Sequence, residues 1–144
     1  MKKLFLFLII LTECSFELSA QTWEIDWEIA QKEAQLKNKE LILVFSGSDW
    51  CIPCIKLEKE IWSDPIFIQF AKDHYILFRA DFPKRKKNKL PASIEQLNNE
   101  LAESYNTQGY FPLVVVFNPD GSIKGQLGYE KVSPKEYIEW IEKL

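Results

Sequence analysis

Short unbroken apolar runs alternate along the chain with segments whose apolar residues recur every three or four positions, a pattern that predicts strands separated by helices. Trp23, Ile25 and Trp27 alternate with acids, which predicts a short edge strand. Trp27, Ala30 and Ala34 then follow helical spacing, with Asp26 placed to cap that helix. Leu41-Ile42-Leu43-Val44-Phe45 is continuous, as expected of a strand buried on both faces of a sheet, and it gives way to Ser46-Gly47-Ser48-Asp49. Helical spacing resumes at Cys54, Leu57 and Ile61. Asp64-Pro65 supplies a cap and first-turn proline for a further helix to about Asp73, with Ile66 and Phe70 marking its apolar face.

Tyr75 to Phe82 predicts a second strand, closed by Pro83, and the basic run Lys84-Arg85-Lys86-Lys87-Asn88-Lys89 is expected to be a solvated loop. Ser93 and Gln96 have capping-box spacing ahead of Ile94, Leu97, Leu101 and Tyr105 on one helical face, with the helix ending near Asn106. Leu113 to Phe117 reads as a central strand, Asn118-Pro119-Asp120-Gly121 as a turn, and Ser122 to Leu127 as its antiparallel return. Ser133-Pro134-Lys135-Glu136 caps a last helix to Leu144. Strands joined through helices imply parallel neighbours, and the closing hairpin adds an antiparallel strand, so an α/β fold with a mixed central sheet is expected.

The N-terminus changes this picture. Met1-Lys2-Lys3, the apolar run Leu4 to Leu11 and the closing Leu18-Ser19-Ala20 have the layout of a secretory signal peptide cleaved after Ala20. The run is too short to cross a hydrocarbon core of about 30 Å. The expected division is residues 1–20 as signal peptide and residues 21–144 as one domain. Export to the periplasm follows, and Glu13, standing where lipid-attachment sites want a small residue, argues against anchoring at Cys14. Removing Lys2, Lys3, Glu13 and Glu17 takes 18 basic and 21 acidic residues to 16 and 19, so the net charge stays −3. Nothing in that balance recruits nucleic acid, and a monomer is expected.

Without Cys14 only Cys51 and Cys54 remain, paired as Cys51-Ile52-Pro53-Cys54 in a compartment where disulfides persist. A bond closing so short a loop restrains the unfolded chain little, so chemistry explains it better than stability. The motif lies where an apolar strand passes into a helix. Cys51 is thus expected at a helix N-terminus, whose free N–H groups and dipole stabilise the thiolate that attacks disulfides. Cys54, one turn later, is the expected resolving thiol. A structural zinc needs four ligands where the chain offers two cysteines and His74, so no metal or other cofactor is expected. A two-thiolate Cu(I) site, or a partner-binding module, is the alternative.

Phe45-Ser46-Gly47-Ser48-Asp49-Trp50-Cys51-Ile52-Pro53-Cys54 resembles the active-site segment of the thioredoxin superfamily, and more narrowly that of exported thioredoxin-like proteins. Gly109-Tyr110-Phe111-Pro112-Leu113-Val114-Val115 resembles the second hallmark, a proline just before the central antiparallel strand. The resemblance implies a three-layer α/β/α sandwich and a thiol-disulfide oxidoreductase that reduces or isomerises protein disulfides. It also implies a cis Pro112 facing Cys51, a Phe111 backbone that pairs with the substrate chain, and a Trp50 that covers the disulfide and contacts substrate. Its expected partners are disulfide-containing client proteins and an exported or membrane-borne thiol electron donor. One departure stands out: thioredoxins proper keep a buried acid in the strand before the motif, where this chain has Leu43-Val44-Phe45, leaving water or Asp49 to carry protons. No histidine lies between the cysteines, which favours the reducing direction.

Overall fold

The computed structural model describes residues 21–144; the expected signal peptide and Cys14 lie outside the described residues. The elements are α1 (Trp27–Lys37), β1 (Glu40–Ser46), α2 (Ile52–Leu57) running into a π-helical turn (Glu58–Trp62), α3 (Pro65–His74), β2 (Tyr75–Asp81), α4 (Ala92–Tyr105), β3 (Leu113–Phe117), β4 (Ile123–Leu127) and α5 (Pro134–Glu142). The strands form one sheet in the order β2-β1-β3-β4. β1 runs parallel to β2 from Glu40 opposite Tyr75 to Ser46 opposite Asp81. β3 is antiparallel to β1, Leu41 facing Phe117 and Phe45 facing Leu113.

Side chains on a strand alternate between faces, and here both faces are covered. Leu41, Leu43 and Phe45 pack with Ile76, Phe78 and Val115 beneath Trp27, Ala30 and Ala34 of α1 and Leu101 of α4. Ile42 and Val44 pack with Leu77, Val114 and Val116 on the other face, against Leu57, Ile61, Phe67 and Tyr137. This is the three-layer α/β/α sandwich with a mixed sheet. Each fully buried residue such as Ile42 or Phe45 contributes about 1.5–3 kcal/mol relative to exposure, so β1 is the core of the molecule.

Four details differ from the pattern-based expectation. The edge strand at Trp23 shrinks to a single bridge from Glu24 to Phe78, because Asp26 turns the chain into α1 by accepting from the Ile29 N–H at 3.0 Å. The buried face of α3 is Phe67 and Ala71, while Ile66 is exposed; Phe67 is drawn onto Trp62 at 4.7 Å between ring centroids. Ser93 does not cap α4. Pro91 precedes the helix and its carbonyl accepts from the Ile94 and Glu95 N–H groups, while Gln96 donates to Glu100 instead. Finally β3, although reached through α4, is antiparallel to its neighbour β1 rather than parallel, in the central position the pattern expected and the direction the resemblance implied. The last helix keeps its expected capping box, Ser133 with Glu136.

Candidate active site

The carboxyl end of β1 delivers the chain into a tight turn. The Trp50 and Cys51 N–H groups both donate to the Gly47 carbonyl, at 3.2 and 2.9 Å, and α2 starts immediately afterwards. Cys51 is the N-cap of α2 and its Sγ accepts from the Cys54 N–H at 3.3 Å. Pro53 fits in the first turn because the N–H it lacks has no intrahelical partner there. The amide that approaches the sulfur is therefore one that the helix leaves free, which is the setting that favours a thiolate.

Cys51 and Cys54 form a disulfide with Cα atoms 5.2 Å apart. Both residues are buried, and the Gly47 N–H lies 3.5 Å from Cys54 Sγ. In this state neither sulfur is a thiolate.

Trp50 lies against the turn it follows. Its indole N–H donates to the Phe82 carbonyl at 2.7 Å, and its ring meets Phe111 at 5.4 Å, edge to face. Phe111 in turn meets Phe82 at 5.4 Å, so the three rings make one aromatic ledge beside Cys51. A Cβ built on Gly47 would come within 2.3 Å of the indole, which explains the glycine at that position. The Phe111-Pro112 peptide bond is cis, as the resemblance implied. The loop before it is clasped by Asn106, whose side chain donates to the Tyr110 carbonyl and accepts from the Tyr110 N–H, both at 2.9 Å.

Two clefts flank the ledge. One of about 440 Å³ is lined by Pro53, Tyr110, Phe111, Pro112 and Gly128, so the helix that carries the cysteines shares a wall with the cis-proline loop. The other, about 480 Å³, is lined by Trp50, Phe82, Lys84, Asn98 and Phe111. A larger groove of about 940 Å³ between α3 and α5 contains neither cysteine.

A fourth cleft, about 310 Å³, opens behind the resolving position and is lined by Ser46, Cys54, Glu58, Ser63 and Arg79. Glu58 lies one helical turn after Cys54 and pairs with Arg79 of β2. It is the one carboxylate among the residues that line this cleft. Sequence reading missed it, because the pairing partner is 21 residues away and no local motif marks it.

Asp49 does something other than reach the cysteines. Its carboxylate accepts from the Lys84 N–H at 2.9 Å, the Arg85 N–H at 3.0 Å and the Asn88 side-chain amide at 2.9 Å. Those bonds, the Lys84 N–H foremost, hold its pKa below the usual 3.8. Both of its oxygens are thus committed to the basic loop, so it is poorly placed as the proton carrier its position before Cys51 suggested. Ser48 makes a parallel tie, its N–H and hydroxyl donating to Asp81 at 2.9 and 2.5 Å. His74 ends α3 with its ring stacked on Phe70 at 3.8 Å and Nδ1 at 2.8 Å from the Phe70 carbonyl, away from the cysteines.

A family model described as thioredoxin-like matches residues 22–119. The disulfide bond reductase DsbH of Chlamydia pneumoniae is 31% identical over 121 residues, 82% of this chain and 71% of that protein. A solved structure of a DsbH oxidoreductase superposes with a TM-score of 0.79 at 29% identity, over 87% of this chain and 84% of the other. The thiol:disulfide interchange protein DsbD of Pasteurella multocida is 27% identical over 100 residues, which span 67% of this chain but 15% of that protein.

Proposed function

The chain belongs to the thioredoxin-like family, and from that premise we propose that it is a thiol-disulfide oxidoreductase that reduces or isomerises protein disulfides through Cys51 and Cys54. The observation that carries this reading is a disulfide at the start of α2 whose helix shares a cleft with the cis Phe111-Pro112 loop. In the reduced protein the Cys51 thiolate attacks one sulfur of a client disulfide and expels the other as a thiolate. A Cys51–client mixed disulfide results. The Cys54 thiolate then attacks Cys51 Sγ, closes the Cys51–Cys54 bond and releases the second client thiol. Two electrons pass from the dithiol to the client, and an exported or membrane-borne thiol donor restores the dithiol.

Pro112 and the Phe111 backbone present the client segment, and Trp50 shields the reacting sulfurs. Proton exchange at Cys54 goes through water in the cleft behind it, which Glu58 lines as its one carboxylate, held by Arg79 and Ser63. Cleavage after Ala20 leaves a periplasmic protein of residues 21–144 that acts as a monomer. Among the described residues no helix is long and apolar enough to cross a membrane.

The test is the redox equilibrium of the pair in defined thiol buffers together with insulin-disulfide reduction by wild type and Cys51→Ser. A reversible two-electron couple, with activity lost in the variant, is the expected result. Wild type without turnover, or a variant that matches an active wild type, refutes the assignment.

A further inference from the structure

The six-residue run from Lys84 to Lys89 carries five cations, Lys84, Arg85, Lys86, Lys87 and Lys89, on a chain whose net charge is −3. All five are exposed, and none forms a side-chain ion pair among the described residues. A run of this kind is ordinarily a solvated loop with no fixed place relative to anything. Here its place is fixed. Asp49, two residues before Cys51, grips the backbone at Lys84 and Arg85 and the side chain of Asn88. The Lys84 ammonium lies 3.7 Å above the ring of Trp50, the residue next to Cys51. The loop also has internal order, a short 3-10 turn at Lys86–Asn88.

The run is thus anchored at the rim of a cleft through Lys84, and that cleft is lined by the aromatic rings of Trp50, Phe82 and Phe111 and also by Asp81, Glu95, Asn98 and Asn99. Burial of a carboxylate would be costly there, but at an exposed rim it meets cations without desolvation, which favours encounter and orientation more than affinity. We propose that this rim selects among disulfides, favouring a client polypeptide with acidic residues beside its disulfide and an apolar residue to seat on the aromatic ledge. The inference rests on the oxidoreductase reading and adds to it the chemistry of the partner.

The experiment uses the reduced full protein and three disulfide-bonded peptides that differ only in flanks of aspartate, asparagine or lysine. The second-order rate of reduction is measured from about 0.01 M to about 1 M salt, over which the Debye length falls from about 30 Å to about 3 Å. The aspartate peptide is expected to react about tenfold faster than the asparagine peptide at low salt, with the lysine peptide slower still and the three converging at high salt. Lys86→Glu/Lys87→Glu is expected to narrow or invert that order. Equal rates for all three peptides in wild type overturn the inference while leaving the oxidoreductase reading intact. Reduction of none overturns both. Equal peptide rates together with charge-dependent binding to phosphatidylserine vesicles would assign the loop to a membrane surface and equally overturn the proposal.

Discussion

Replacing Gly47 by alanine should destabilise the protein when Trp50 is present and stabilise it when Trp50 is absent. The new Cβ would lie 2.3 Å from Cε2 and 2.6 Å from both Cζ2 and Nε1 of the indole, and these are its three nearest heavy atoms. Real side chains do not tolerate such approaches, so the ring must leave its seat. It then forfeits the hydrogen bond to the Phe82 carbonyl, worth about 0.5–1.5 kcal/mol. The edge-to-face contact with Phe111, about 0.5–1.5 kcal/mol, goes with it. The Lys84 cation–π contact, about 0.5–1 kcal/mol at an exposed site, is lost as well, and because Trp50 is 36% exposed it can swing outward rather than strain the core, so the cost is about 1.5–4 kcal/mol. In Trp50→Ala the obstruction is gone. Gly47 does not occupy the left-handed region, so alanine there only restricts the unfolded chain and should stabilise by about 0.4–1 kcal/mol. Urea denaturation of wild type, Gly47→Ala, Trp50→Ala and the double variant, all oxidised, closes the cycle. Equal effects of Gly47→Ala in the two backgrounds would refute the argument that the glycine exists to seat the indole.

Three further outcomes follow from the same geometry. Asp49 holds the basic loop through an ionised carboxylate whose folded-state pKa lies below 3.8, so the tie is complete above that value and is lost as pH falls through the lower folded-state value. Amide resonances of Lys84 and Arg85 followed by NMR should shift with a midpoint below 3.8 and lose that transition in Asp49→Asn; a midpoint above it contradicts the sign. Glu58→Gln should slow release of a chromogenic thiol from the Cys51 mixed disulfide by up to about 100-fold. An unchanged rate takes Glu58 out of the proton route. Tyr137→Phe removes the 2.8 Å hydrogen bond to the Gly128 carbonyl in a fully buried site, where burial also pushes the phenol pKa up, and should cost about 1–3 kcal/mol in urea denaturation. A loss below about 0.5 kcal/mol would mean that the carbonyl finds another partner.

Local pattern carried the strands and the cysteine placement because each depends on neighbours in sequence. The unbroken run Leu41 to Phe45 has one physical outcome in a chain of this size, a strand covered on both faces, and both faces are covered. α3 went astray by one residue because Ile66 with Phe70 and Phe67 with Ala71 are both i, i+4 pairs, and the small Ala71 hides the stripe that is buried. Strand direction carries no signature in hydropathy, so the pattern alone gave no sign that β3 would reverse beside β1. At the site, Cys51, Cys54 and Pro112 were legible from motifs. The parts that hold them in place were not. Asp49 meets Lys84 across 35 residues and Glu58 meets Arg79 across 21, and a single chain offers no signal for such pairs. Gly47 looked like an ordinary turn residue until the indole of Trp50 was seen to occupy the space of its missing side chain.

The way Asp49 holds the basic loop has a bearing on how this protein can change over evolutionary time. Two of its three bonds go to main-chain N–H groups, at Lys84 and Arg85, which any residue other than proline supplies. Only Asn88 contributes a side chain to the grip. The side chains at 85, 86, 87 and 89 can therefore be exchanged, proline at 85 excepted, while the loop keeps its seat on Asp49 and the sulfur chemistry beside it keeps its geometry. Descendants of one ancestor can drift to different charges around the same redox pair, and acquire different clients, without rebuilding the site that serves them.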